Sequence, residues 1–242
     1  MGQTMAEGLG ERPDMTVVAL VDLHAPRELF GAVHVTSVDQ LPPDIDAVVD
    51  FSMPDSVATT ATWCAANNVA LVVGTTGLTT EQRSVVENAG QHVGVVMAAN
   101  YSIGAVLSER FAAMAAPYFE RVEIIELHHD RKVDAPSGTS LVSAEGIRAA
   151  RAAAGRVTAP DPTERLTIEG ARGADAGDGV RIHSVRLPGL LAHQEVLFGS
   201  MGEGLTIRHD SYDRRSFVSG VALAIAHATS SVGFTSGIDE LL

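Results

Sequence analysis

The sequence predicts an α/β protein, with a Rossmann-like doubly wound parallel sheet followed by an α+β domain built on a mixed sheet. Two patterns predict it. Short β-branched apolar runs alternate with helical segments through the first half, and strand-like runs follow one another without helices in the second. Residues 15–21 (MTVVALV), 45–51 (IDAVVDF), 69–73 (VALVV) and 93–99 (VGVVMAA) are the expected parallel strands, because near-continuous apolar runs suit strands covered on both faces. Between them, 55–67, 80–91 and 103–116 are long enough for crossover helices, with Asp55 after Pro54 and Thr80 before Glu81 as expected N-caps. From Tyr118 the pattern changes. Residues 122–127 read as a strand, 139–154 as an Ala-rich helix and 155–179 as a Gly/Pro/Asp-rich loop. Strands at 180–187, 194–199 and 204–208 follow in succession, and a final helix at 216–229 precedes a short tail.

Charge narrows the partners. With 17 Lys+Arg against 30 Asp+Glu the net charge is −13, which opposes broad contact with nucleic acid or an anionic membrane surface. A local basic patch can still hold a small anion against that field. The longest uncharged stretch, 56–80, is broken by Thr and Asn and does not read as a membrane span. The first residues lack the basic-then-apolar order of a signal peptide. The single Cys64 forms no disulfide within the chain and reads as a small core residue. A cytoplasmic protein is expected.

The richest chemistry lies at 126–132 (ELHHDRK), where two imidazoles, an Arg and a Lys gather at the end of an expected strand. An imidazole donates a proton near neutrality, and a neighbouring ammonium stabilises developing negative charge. A solvated charge run is the plainer alternative. The next residues, 134–139 (DAPSGT), lead into the Ala-rich helix, whose free N–H groups form an anion site; an ordinary cap from Ser137 or Thr139 is the alternative there. Taken together, the two features make two anion anchors with a proton donor between them, which suits a small dicarboxylate. Adjacent histidines seldom converge on one ion, so no metal is expected. In the first half, 74–77 (GTTG) is a glycine-bounded loop after a parallel strand, where nucleotides sit. Asp22 closes the strand at 15–21 and is either a ribose ligand or a turn former. The opening residues 1–6 (MGQTMA) read as the end of a glycine-rich turn passing into a helix, with Gly2 placed 20 residues before Asp22.

The stretch E-L-H-H-D-R-K-V-D-A-P-S-G-T at 126–139 closely resembles the signature of the 4-hydroxy-tetrahydrodipicolinate reductase (dihydrodipicolinate reductase) family, and the segment between Asp22 and Val48 looks like its actinobacterial branch. The resemblance extends in order through V-V-D-F-S at 48–52, V-G-T-T-G at 73–77, A-N-Y-S-I-G at 99–104, V-R-L-P-G at 185–189, H-Q-E-V-L-F-G at 193–199 and R-H-D-S at 208–211. It implies reduction of a cyclic imine dicarboxylate to tetrahydrodipicolinate with NADH or NADPH, in the diaminopimelate route to lysine. It further implies His128 as proton donor, Lys132 as catalytic lysine, and His129, Gly138 and Thr139 as substrate-carboxylate contacts. For the cofactor it implies Gly2, Gly74, Thr75, Thr76, Ala98, Ala99, Asn100 and Tyr101, alongside Asp22. The family usually has Pro where Ala99 stands, a change that loosens the loop. Asp22 would repel a 2′-phosphate and leans towards NADH. The implied domains are 1–102 with 216–242 for the dinucleotide, and 103–215 for substrate and assembly into a homotetramer. The substrate is expected in the cleft between them.

The strand and first glycines that should precede Gly2 are not in the sequence, so the strands at 15–21 and 45–51 lack their expected central neighbour. A non-catalytic dicarboxylate-binding relative that has lost its cofactor is therefore the alternative reading. A start assigned too far downstream is the preferred explanation. A form longer by about ten to fifteen residues, one strand and a glycine turn, is expected to melt higher and bind NADH more tightly than the 242-residue chain. Equal melting temperatures and affinities for the two forms would overturn that expectation.

Overall fold

The computed structural model describes residues 1–156 and 161–242. They divide into two compact units, Met1–Ile103 with Arg214–Leu242, and Gly104–Asp213. In chain order the first unit holds α1 (Gly2–Gly10), β1 (Ala19–Val21), β2 (Val33–Val35), β3 (Ala47–Asp50), α2 (Pro54–Asn67), β4 (Ala70–Val73), α3 (Thr80–Ala89) and β5 (Gly94–Met97). The second holds α4 (Ile103–Ala115), β6 (Arg121–His128), α5 (Gly138–Ala153), β7 (Ala174–Asp175), β8 (Arg181–Arg186), β9 (Ala192–Ser200) and β10 (Glu203–Ser211). The chain then returns to the first unit with α6 (Val218–Ser230) and β11 (Gly233–Ser236). Of the loop expected at 155–179, residues 157–160 lie outside the described residues.

The first unit is a parallel α/β layer structure. β11, β5, β4 and β3 form a four-stranded sheet in that order, every pairing parallel. All four residues of β4 are buried, which explains why its sequence shows no alternation. Leu71, Val73 and Val95 pack with Val57 and Cys64 of α2 and Val86 of α3. α6 also packs on β4 and β5. Burial, with Asp50 nearby, raises the Cys64 thiol to about 12, so it stays protonated and inert at neutral pH, as the core reading expects. β1 and β2 make a separate parallel pair, and among the described residues β3 pairs with β4 alone.

Several local expectations are corrected. Asp55 does not cap α2: Met53 is the N-cap and Pro54 takes the first helical position, where its missing N–H costs nothing, leaving Asp55 to face the positive helix end. Thr79, not Thr80, caps α3, because it lies three residues before Gln82 and the two close a capping box. The short strand β2 was not expected. The tail is not a plain extension either: β11 pairs with β5 from Gly233↔Gly94 to Ser236↔Met97. Its four residues are too few to display a period of two.

The second unit is a mixed sheet in the order β10-β9-β6-β8-β7, with β6 parallel to β8 and antiparallel to β9. Alternation in β6 puts Val122 and Ile124 on a buried face, where they pack with Ala144 and Ile147 of α5. Glu126 and His128 follow on that same face by the same period.

One close approach fixes α6. A Cβ built on Gly220 would stand 1.9 Å from the Tyr101 carbonyl oxygen, so only glycine lets the helix lie there. Gly220→Ala is expected to cost about 1–3 kcal/mol through forced backbone displacement. Thermal melting should show a loss of several degrees; an unchanged midpoint would mean that the contact relaxes freely.

Candidate active site

β6 ends in a charged cluster built around Glu126. Its carboxylate is wholly buried. Oε2 accepts from His128 Nδ1 at 2.5 Å and from Arg186 Nη1 at 2.8 Å, while Oε1 accepts from Arg186 Nη2 at 2.8 Å. Burial works to raise the Glu126 carboxyl, but hydrogen bonds from Arg186, Ser184 and His128 outweigh it and leave the group below its ordinary value. The carboxylate is therefore ionised and can only accept, which assigns the Nδ1 hydrogen to His128. His128 is held below its ordinary value, chiefly by burial; Lys132 and Arg186 push the same way, and Glu126 opposes them.

The loop after β6 is tied to this cluster. Arg186 Nη2 also donates to the Asp134 carbonyl at 2.8 Å. Lys132 Nζ donates to both carboxylate oxygens of Asp134, at 2.8 and 2.9 Å. Asp134 lies below its ordinary value chiefly through that bond. His129 carries a buried Nδ1 with no hydrogen-bond partner among the described residues.

The start of α5 lies over the same face. Glu126 pairs across the sheet with Gln194, and Gln194 Nε2 donates to Ser143 Oγ of α5 at 2.8 Å. Ser143 is five residues from Gly138, about 7 Å along the helix axis. Ser137 is the N-cap and accepts from Ser140 N–H at 3.2 Å. That bond leaves the Gly138 and Thr139 N–H groups outside the cap, and a Cβ on Gly138 would meet open space. The expected cap from Ser137 is thus present and serves the third N–H, and it leaves the first two open to a ligand. His128, His129, Lys132, Gly138 and Thr139 all fall within the second unit.

The first unit gathers its loops at the carboxyl ends of β3, β4 and β5. Asp50 is buried at the end of β3, and its Oδ1 accepts from Ser52 N–H at 3.0 Å, Ser52 Oγ at 2.6 Å and Thr75 Oγ1 at 2.8 Å. Gly74 N–H donates to the Asp50 carbonyl at 2.8 Å. Gly77 takes a φ of 79°, which a side chain would strain, and Thr76 is exposed beside it. Tyr101 does not offer its side chain to a ligand. It is buried, and its hydroxyl lies 2.8 Å from the Val73 carbonyl and 3.2 Å from that of Val96, bracing the loop from inside. Ala98 is buried, Ala99 is exposed, and Asn100 Oδ1 accepts from Ser102 N–H at 2.9 Å. Asp22 is exposed and accepts from His24 N–H at 2.9 Å, so it forms a turn whatever else it binds. α1 begins at Gly2 with no side-chain cap, and a Cβ on Gly2 would meet open space. An uncapped helix start and open glycine-bounded loops fit a dinucleotide's pyrophosphate.

Comparison with known proteins decides the family. The family model "Dihydrodipicolinate reductase, N-terminus" matches residues 1–101, and "Dihydrodipicolinate reductase, C-terminus" matches 104–242. The chain belongs to the dihydrodipicolinate reductase family. It is 44% identical to the 4-hydroxy-tetrahydrodipicolinate reductase of Corynebacterium urealyticum over 97% of this chain and 96% of that one. It is 44% identical to the enzyme of the same name from Enterococcus faecalis, over 100% of this chain and 95% of that one. Among solved structures, a dipicolinate-bound dihydrodipicolinate reductase from Paenisporosarcina sp. TG-14 superposes with a TM-score of 0.87 at 39% identity, over 100% of this chain and 95% of that one. These full-length matches to reductases lend no support to a non-catalytic relative.

In this family member, Glu126, Arg186 and Asp50 were not assigned roles from sequence. The i, i+2 spacing of Glu126 and His128 on a strand was a usable signal. Arg186, 60 residues away, lies in the V-R-L-P-G stretch at 185–189, which carries no sign of its pairing with Glu126. Asp50 and Thr75 make a compact test. Thr75→Val removes one donor from a buried carboxylate, and a loss of about 1–3 kcal/mol in stability is expected. Fluorescence titration should show NADH affinity falling several-fold; unchanged affinity would detach this bond from the loop's function.

Proposed function

We propose that this chain reduces 4-hydroxy-tetrahydrodipicolinate, through dihydrodipicolinate, to tetrahydrodipicolinate, as an NAD(P)H-dependent oxidoreductase of the diaminopimelate route to lysine. The family match over the whole chain supports the reaction. The observation that carries the residue roles is the imidazole of His128 seated on an ionised carboxylate, with Lys132 and the open start of α5 in the same unit.

The cofactor, NADH or NADPH, supplies the hydride when bound. Gly2, Asp22, Gly74, Thr75, Thr76, Ala98, Ala99 and Asn100 would hold it in the first unit, with Tyr101 bracing its loop. Reduction of a conjugated imine leaves electron density on the substrate that a proton must meet, and His128 gives that proton from Nε2. General acid catalysis of this kind contributes about 10²–10⁴-fold. Lys132 exchanges its Asp134 partner for a substrate carboxylate and offsets the developing charge. His129, with the N–H groups of Gly138 and Thr139, holds the substrate's carboxylates; a buried unpartnered nitrogen on His129 supports this. Two such anchors explain how a protein of net charge −13 binds a dianion. The protein works as a homotetramer assembled through the sheet of the second unit. Among the described residues no helix is long and apolar enough to cross a membrane.

His128→Gln is expected to lower kcat by at least about 10²-fold while leaving the melting temperature near that of the parent. An assay with freshly generated substrate, following NADH and NADPH separately, measures this; near-full activity would remove His128 from the donor role. Because burial lowers His128, the protonated donor of the free enzyme is lost as pH rises through a value below the ordinary 6.5. kcat/KM should therefore fall with rising pH across neutrality, and a profile flat from pH 6 to 8 would contradict the assignment.

A further inference from the structure

We infer that Glu126 and Arg186 are positioning residues for His128, the carboxylate selecting the imidazole tautomer and the guanidinium locking both the carboxylate and the lysine-bearing turn. This rests on the proposed donor role of His128.

Three observations carry it. The first is the direction of the hydrogen bonds. Both Glu126 oxygens are engaged by the Arg186 fork, so the carboxylate is an acceptor and His128 must present Nδ1–H to it at 2.5 Å. Nε2 is left as the nitrogen that gains and gives the proton. The second is the reach of Arg186. It lies beside His128 in the parallel register of β6 and β8, and its Nη2 holds the Asp134 carbonyl at 2.8 Å. Asp134 in turn carries Lys132. One guanidinium therefore sets the imidazole's carboxylate and the lysine's anchor together. The third is cost. A carboxylate with no solvent exposure needs full pairing, and such a pair stabilises a fold no better than apolar side chains of the same size. Holding β6 to β8 does not by itself call for one.

The charged groups around the imidazole agree with this division of labour. Glu126 lies on its own strand, Arg186 on β8, and Lys132 and Asp134 on the loop after β6. The β9 residues paired with His128 and Glu126 are Ala192 and Gln194, which carry no charge; His209 is on β10 opposite Gln194. Glu126 is the group whose hydrogen bond and charge favour the imidazolium, against Lys132 and Arg186.

Imidazole 15N NMR of the unaltered protein at alkaline pH should show His128 as the Nδ1–H tautomer, the reverse of the form that predominates in free histidine. An Nε2–H tautomer would overturn the inference without any variant. Glu126→Gln should lower kcat by about 10²-fold with KM changed little and NADH affinity retained. The alkaline limb of its pH profile should move to lower pH. In a His128→Gln background the same substitution should cost less than about threefold more, because its effect passes through the imidazole. An equal cost in both backgrounds would make Glu126 a structural residue and overturn the inference. Full activity in His128→Gln alone is a different result: it removes the donor reading, and this inference with it.

Discussion

A carboxylate with no contact with water sits near the end of β6, and the arrangement of the candidate site follows from how its charge is met. Glu126 cannot be desolvated alone. It draws the Arg186 fork from β8 and the imidazole of His128 from its own strand, so that two strands and a loop are pinned at one point. The pairing orients His128, and through the Asp134 carbonyl it shapes the turn that carries Lys132. The charged cluster is thus built on a sheet rather than on loops alone, with the precision that rigid elements lend.

The first unit obeys the same constraint with different groups. Asp50 is buried at the end of β3 and is satisfied by Ser52 and Thr75, which draws residues 74–77 down onto the strand. Tyr101 fills the space beneath and shares its hydroxyl between the carbonyls of Val73 and Val96. Gly220 allows α6 to approach the Tyr101 carbonyl. Two loops are therefore braced from inside by buried polar side chains.

Electrostatics separates the charge of the whole chain from the charge near the end of β6. A net charge of −13 acts over long distances that salt screens, whereas binding is decided within a few ångströms. Near the end of β6 the second unit gathers Lys132, His128 and His129, with two N–H groups at the start of α5 in the same unit. Asp134 neutralises Lys132 meanwhile, so that no bare charge need be stored.

What the sequence determined by itself is the alternation of the longer strands and helices and the identity of the chemical groups. β4 is buried on both sides and β5 nearly so, and such strands need no alternation to be read. The 126–139 stretch is contiguous, so its imidazoles, lysine and helix start could be seen together without a fold. The tertiary structure decided what depends on distant pairing. Glu126 meets Arg186 across 60 residues, Asp50 meets Thr75 across 25, and β11 joins β5 from the far end of the chain. The caps shifted by one or two residues because Pro54 takes the first position of α2 and a capping box with Gln82 selects Thr79 for α3. Tyr101 reads in the sequence as part of the cofactor loop, and the fold buries its side chain beneath that loop as a brace, because only packing determines which way an aromatic side chain is buried.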